Sequence, residues 1–163
     1  MERIHVKVPG EQPQDREYMK QALALAEKGH GWVNPNPMVG AVLVKDGRII
    51  GEGYHTRYGQ LHAEREAFKN AAERGEETAG ADLYVTLEPC PMCAGAILNA
   101  RIPKVFYGAR DSAFGACGGV TNLFMEEFPN RPALVGGILA ADCQAVLTEF
   151  FDRIRRKGSC GSK

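Results

Sequence analysis

Residues 62–93 begin with His62-Ala63-Glu64 and end with Glu88-Pro89-Cys90-Pro91-Met92-Cys93. One histidine and two cysteines separated by two residues are ligand types of a tetrahedral zinc site that leaves its fourth position to water. A structural zinc normally takes four protein ligands, and the sequence offers no fourth cysteine or histidine at motif spacing. The segment therefore predicts an open zinc site held by His62, Cys90 and Cys93.

Simpler interpretations of the same residues compete with a metal site. His62 would be an ordinary polar residue at a helix start, and Cys90 and Cys93 would be buried thiols or a redox pair. The H-x-E upstream of P-C-x-x-C, however, is the signature of zinc nucleobase deaminases, in which the glutamate moves protons. We therefore expect Glu64 to be catalytic, although the helix dipole alone also favours a carboxylate at that position.

Length and composition indicate an ordinary globular domain with a sizeable core. The chain has 163 residues, of which 44% are hydrophobic and 25% charged, and its formal net charge of zero argues against binding nucleic acid through a global basic field. Five cysteines, two of them expected as zinc thiolates, do not form an even disulfide framework. Without a signal peptide or an apolar run long enough for a membrane span, we expect a cytoplasmic protein.

Hydrophobic periodicity predicts a chain of alternating helices and strands. Asp46-Gly47 is typical of a two-residue hairpin, so the strands around it should be antiparallel, whereas the last two strands, joined by a crossover, should be parallel. The result is an α/β fold, a three-layer α/β/α sandwich around a five-stranded mixed sheet. The predicted strands are 38–44, 49–54, 83–87, 104–108 and 133–135, and the predicted helices are 15–29, 63–74, 92–100 and 141–156.

The motif residues fall at helix starts in this scheme. His62 and Glu64 precede or open the second helix, and Cys93 lies in the first turn of the third, so two helix N-termini can converge on one metal. We expect one zinc domain over residues 15–157, after a flexible lead-in of residues 1–14 and before a disordered tail of residues 158–163.

The two halves of the chain resemble two different families. The second half contains Val85-Thr86-Leu87-Glu88-Pro89-Cys90-Pro91-Met92-Cys93-Ala94-Gly95-Ala96-Ile97 and the paired Phe150-Phe151. It resembles the bacterial tRNA-specific adenosine deaminases of the cytidine deaminase superfamily. The first half contains Pro35-Asn36-Pro37-Met38-Val39-Gly40 and Gly51-Glu52-Gly53-Tyr54-His55. It is similar to the pyrimidine deaminase half of the bifunctional riboflavin-biosynthesis enzyme, which has a longer cysteine spacing.

The resemblance implies a cytidine-deaminase-like fold, bound Zn²⁺, a homodimer and hydrolytic deamination. A zinc-activated water would add to the amino-bearing ring carbon, and Glu64 would relay protons until ammonia leaves. Substrate-binding candidates are Asn36, His55, Ala63 and Glu88. Asn36 would otherwise be a turn former, His55 a satisfied polar residue, and Glu88 a residue that orients a loop.

Our first interpretation of function is conversion of adenosine to inosine at the tRNA wobble position, with the tRNA anticodon loop as partner. The alternative is deamination of a free nucleobase, nucleoside or nucleotide of the cytosine, guanine or riboflavin-pathway pyrimidine type. A third is a non-catalytic nucleic-acid-binding partner, against which the intact Glu64 argues. The basic cluster Arg153, Arg155, Arg156 and Lys157 would face RNA or only complement the end of the last helix.

Overall fold

A computed structural model describes residues 8–29, 37–56 and 59–160, with only the backbone described for residues 157–160. Every predicted helix and strand is present. The helices are α1 Pro13–Glu27, α2 Ala63–Glu73, α3 Pro91–Asn99 and α4 Ala140–Cys160, with a short 3₁₀ helix at Leu123–Met125. The strands are β1 Gly40–Lys45, β2 Arg48–Tyr54, β3 Asp82–Leu87, β4 Lys104–Ala109 and β5 Ala133–Gly136.

The sheet is mixed, as the sequence predicts, with strand order β2-β1-β3-β4-β5. Strand β1 is antiparallel to β2 and β3, and β3, β4 and β5 are parallel. The β1–β2 turn has φ of 52° at Asp46 and 72° at Gly47, the positive values that a two-residue hairpin requires. Leu87 pairs with Ala109, so the segments that follow β3 and β4 emerge side by side.

Helices cover both faces of the sheet, which confirms the three-layer architecture. Alternate residues of β3 divide between the layers: Leu83 and Val85 pack with α2 and α3, and Tyr84 packs with α1 and α4. The Tyr84 ring stacks on Phe106 at 4.4 Å between centroids, and its hydroxyl donates to Asp15 in α1 at 2.5 Å. One buried hydrogen bond thus fixes α1 to the middle of the sheet.

Residues just before α1 make specific contacts. Helix α1 begins at Pro13, because Gln12 is its N-cap and Asp15 accepts from the Gln12 N–H at 2.7 Å. Just before it, Glu11 is buried and its Oε2 accepts from the Val8 N–H at 2.8 Å. The flexible lead-in expected over residues 1–14 stays a prediction, and residues 1–7 lie outside the described residues.

At the end of the chain, helix α4 continues to Cys160, and residues 161–163 lie outside the described part. The disordered tail expected over residues 158–163 stays a prediction. Extending an existing helix by a few residues is much easier than nucleating one, so the turn persists beyond the last apolar position. No helix within the described residues is long and apolar enough to cross a membrane.

Helix α1 lies directly on β1 at Gly40, which leads to a stability prediction. A Cβ at Gly40 would overlap the Ala22 carbonyl oxygen and lie 2.7 Å from the Ala26 nitrogen. We expect Gly40→Ala to lower the free energy of unfolding by about 3 kcal/mol, because a backbone contact cannot move aside. Urea denaturation measures this change.

The control is Gly95→Ala in α3, where an added Cβ meets nothing within 4 Å. That variant should gain about 0.5–1 kcal/mol from better helix propensity. Equal denaturation midpoints for wild type and Gly40→Ala would contradict the close helix–strand contact.

Candidate functional site

The site lies where α2 and α3 begin. His62 is the N-cap of α2 and Cys90 is the N-cap of α3, and both have extended backbone, with ψ of 162° and 171°. Cys93 follows in the first turn of α3, after Pro91 at the first helical position. The predicted convergence of two helix N-termini is confirmed.

The three predicted ligand atoms face one another. His62 Nδ1 lies 3.4 Å from Cys93 Sγ and 3.7 Å from Cys90 Sγ, and all three atoms are within 4.8 Å of one another. Usual zinc bond lengths at tetrahedral angles give an N···S separation of about 3.5 Å. No other described histidine, cysteine or acidic side chain joins the group. The donor set and its spacing therefore fit zinc with three protein ligands.

The electrostatics of the two thiols favour a cation between them. A hydrogen bond from Cys93 is the main reason why the pKa of Cys90 falls to about 4. The same pairing, together with burial, raises the pKa of Cys93, and hydrogen bonding to Cys90 raises the pKa of His62. Two adjacent sulphurs ionise together only when a positive ion compensates the second charge.

Glu64 lies in the first turn of α2 and is 4% exposed. Burial is the main cause that raises the pKa of its carboxyl. A carboxylate that served only the helix dipole would gain nothing from burial, whereas a raised pKa makes a carboxyl a better proton acceptor and still lets it return the proton.

A cavity of about 790 Å³ opens beside these residues. Its walls include His55, Glu64 and Glu88, the loop 110–114, and Leu147 and Phe151 from α4. That volume accommodates a small ligand such as a nucleobase or nucleotide, and its walls carry both polar and apolar side chains.

The predicted substrate-binding residues that the structure describes lie around this cavity. His55 is buried, with Nδ1 3.0 Å from the Leu61 carbonyl oxygen and its ring edge-on to His62 at 5.6 Å between centroids. Ala63, fully buried, and Glu88 also line the cavity. Asn36 lies outside the described residues.

Sequence reasoning missed the loop 110–114 and the α4 side chains as parts of the site. Phe114 borders the cavity and is 70% exposed, and Phe151 is 40% exposed. An aromatic residue in a glycine-rich loop, such as Phe114 before Gly115, is a usable sequence signal for a binding wall, whereas Phe151 lies within α4 and offers none.

The basic cluster of α4 forms ion pairs along its own helix. Arg155 lies 3.1 Å from Asp152 and Arg153 lies 3.8 Å from Glu149. For Lys157 the structure describes only the backbone. This arrangement fits the helix-stabilising interpretation of Arg153 and Arg155.

Residues 12–109 match the family model described as the cytidine and deoxycytidylate deaminase zinc-binding region. The chain belongs to this family. The matched region of this deaminase contains His62, Glu64, Cys90 and Cys93.

Curated relatives of this deaminase fall into two groups. It is 38% identical over 157 residues to the tRNA-specific adenosine deaminase of Bacillus subtilis. This match covers 92% of this chain and 96% of the relative. It is 40% identical over 149 residues to the riboflavin biosynthesis protein RibD of Actinobacillus pleuropneumoniae. This match covers 88% of this chain. The chain spans only 38% of that RibD.

Solved structures divide in the same way. The deaminase/reductase of Thermotoga maritima superposes with a TM-score of 0.73 at 40% identity, covering 88% of this chain and 42% of that one. A structure from work on A-to-I editing by tRNA deaminases at the wobble position superposes with a TM-score of 0.72 at 38% identity. The match covers 80% of this chain and 99% of that one. Such relatives are hydrolases that act on C–N bonds of cyclic amidines, which confirms the predicted enzyme class, zinc family and fold.

Proposed function

We propose that this deaminase converts adenosine to inosine at the wobble position of tRNA. The observation that carries the proposal is the end-to-end match to the Bacillus subtilis tRNA-specific adenosine deaminase, over 92% of this chain and 96% of the relative. A second support is the wide cavity with exposed Phe114 and Phe151 at its wall, because aromatic rings stack well on bases that leave the nucleic-acid stack.

In the proposed reaction His62, Cys90 and Cys93 would hold the zinc, which supplies a water activated for attack near neutral pH. Glu64 accepts the proton of that water as the oxygen adds to the amino-bearing ring carbon. Glu64 delivers this proton to the ring nitrogen, then takes the proton of the added hydroxyl and delivers it to the departing amine. Water and adenosine are consumed, and inosine and ammonia are released.

We assign base contacts to the residues that line the cavity next to His62. His55 and Ala63 are the described ones, and Asn36 remains a predicted contact. A buried, oriented imidazole and a helix N-terminus are suited to the polar edge of a base.

The protein is further proposed to be a homodimer. The segment 120–128 carries large apolar side chains at the surface, and neighbouring exposed apolar groups are usually covered by a partner. These are Val120, Met125 and Phe128, with exposed fractions of 62%, 73% and 42%. Light scattering of the purified protein would show the mass of two chains, and a monomer across the concentration range would exclude it.

We expect zinc-loaded wild type to form inosine from adenosine at the wobble position of a tRNA anticodon stem-loop, as detected by mass spectrometry. Glu64→Gln should form none, and a stem-loop with cytidine at that position should stay unchanged. Wild type that holds zinc but forms no inosine would exclude the tRNA function.

The second candidate is deamination of a free pyrimidine nucleotide. It is favoured by the 40% identity to RibD over 88% of this chain and by the equal structural likeness to the Thermotoga maritima deaminase/reductase. Ammonia release from diaminohydroxyphosphoribosylaminopyrimidine, with cytosine and guanine compounds in parallel, separates this function from tRNA editing. Ammonia from the nucleotide without inosine in the stem-loop would establish it.

A further inference from the structure

Glu88 lines the cavity and is 2% exposed. Its Oε2 accepts from the N–H groups of Gly119 at 2.8 Å and Cys117 at 3.1 Å, and its Oε1 accepts from the Asp111 N–H at 3.4 Å. One carboxylate thus receives backbone amides from both ends of the loop 111–119. It holds together a segment that has no regular secondary structure.

The main chain beside Glu88 reinforces the same connection. The Glu88 N–H donates to the Ala109 carbonyl at 2.9 Å, and the Pro89 carbonyl accepts from the Ala116 N–H at 2.9 Å. An added Cβ at Gly115 would overlap Glu88 Oε2, and one at Gly119 would lie 2.8 Å from it. At Gly115 and Gly119 the loop backbone therefore packs so closely against the Glu88 carboxylate that a side chain at either position would not fit.

This loop forms part of the cavity wall. Residues 110–114 line it, and Asp111 Oδ1 accepts from the Ala113 and Phe114 N–H groups at 2.9 Å and 3.0 Å, which fixes a tight turn. Glu88 also precedes Cys90 by two residues, so one short segment carries both a metal ligand and the anchor of the loop.

We propose that Glu88 is a positioning residue that holds the substrate-facing loop 110–114 at a fixed distance from the Cys90–Cys93 pair and thereby sets substrate affinity. The role applies to either candidate substrate, because it concerns the wall of the cavity and not the base within it. Loss of the anchor should leave the metal site intact and make substrate binding order a mobile loop.

Glu88→Gln is the sharpest test, since it keeps the shape of the side chain and changes one acceptor into a donor. Either orientation of the amide then places its NH₂ against a backbone N–H. Lost hydrogen bonds to charged groups change binding constants tenfold or more, so we expect KM to rise about tenfold with kcat within about twofold. Zinc content should be unchanged, and the Asp111, Cys117 and Gly119 amides should exchange with solvent faster.

The kinetics use the wobble-adenosine stem-loop, or the pyrimidine nucleotide if wild type deaminates that instead, and NMR follows amide exchange. The matched control is Glu11→Gln, because Glu11 is also buried, also accepts a backbone N–H and does not line the cavity. Gly119→Ala is a second route to the same effect, because its Cβ would overlap the Asp111 carbonyl oxygen while Glu88 stays in place. It should also raise KM.

Two results would overturn the proposal. Unchanged KM and unchanged loop exchange would mean that the loop does not depend on Glu88, even if the melting temperature falls. A loss of kcat with unchanged exchange would mean that Glu88 touches the reacting groups instead. If wild type deaminates neither substrate, the proposed function fails, and the exchange measurement still decides whether Glu88 anchors the loop.

Discussion

Glu64→Gln should lower kcat by about 1,000-fold while zinc content stays at the wild-type level. Glu64 is 4% exposed, and burial raises its pKa, so the carboxyl can take a proton from water and return it to the leaving group. Glutamine fills the same volume, but its amide group cannot take up and release a proton near neutral pH. The loss therefore measures proton transfer and not packing.

Glu66→Gln is the matched control, because Glu64 and Glu66 are the two acidic residues in the first turn of α2. Both substitutions remove one charge from the same helix N-terminus, which contributes about 0.3–1 kcal/mol to stability. Similar melting temperatures with activity lost only in Glu64→Gln would support the catalytic role. Retention of activity within tenfold in Glu64→Gln would refute it.

Cys93→Ala should weaken zinc binding by more than about 100-fold and abolish turnover. Cys93 is fully buried, and its Sγ is the sulphur nearer to His62 Nδ1, at 3.4 Å. Without it the site keeps one thiol and one imidazole, which is too few ligands to hold zinc against a chelator. Elemental analysis after dialysis against a graded series of chelators measures the change.

Cys143→Ala is the control for this variant. Cys143 is also buried, but it lies in the α1/α4 layer, where burial raises its pKa to about 12. A thiol with that pKa does not supply a thiolate at neutral pH. Equal zinc loss in both variants would show that metal binding depends on general stability and not on Cys93 as a ligand.

Several features could be predicted from local sequence because their causes are local. A two-residue hairpin requires positive φ angles, which Asp46 and Gly47 adopt. Gly75 ends α2 because glycine adopts a positive φ angle easily. The spacing of Glu64 from His62, and of Cys93 from Cys90, places each pair within one turn of one helix. The sequence motif and the predicted starts of α2 and α3 therefore predict the metal site together.

Other features depend on which distant segments meet, and the sequence could not supply them. Glu88 could be a substrate contact or a loop-orienting residue until the packing of residues 111–119 showed three amides directed at its carboxylate. The packed residues 8–14 were equally hidden, because the burial of Glu11 depends on tertiary contacts rather than on its own polarity.

The sequence by itself determined the order of helices and strands and the family, and it predicted the zinc ligands and the proton-transfer glutamate as hypotheses. These follow from residue type and short spacing, which act within one or two turns of the chain. Only the tertiary structure decided that the loop after β4 and the side chains of α4 form one cavity with His62 and Cys90. A cavity is made by side chains far apart in sequence, and their approach is set by strand pairing and layer packing.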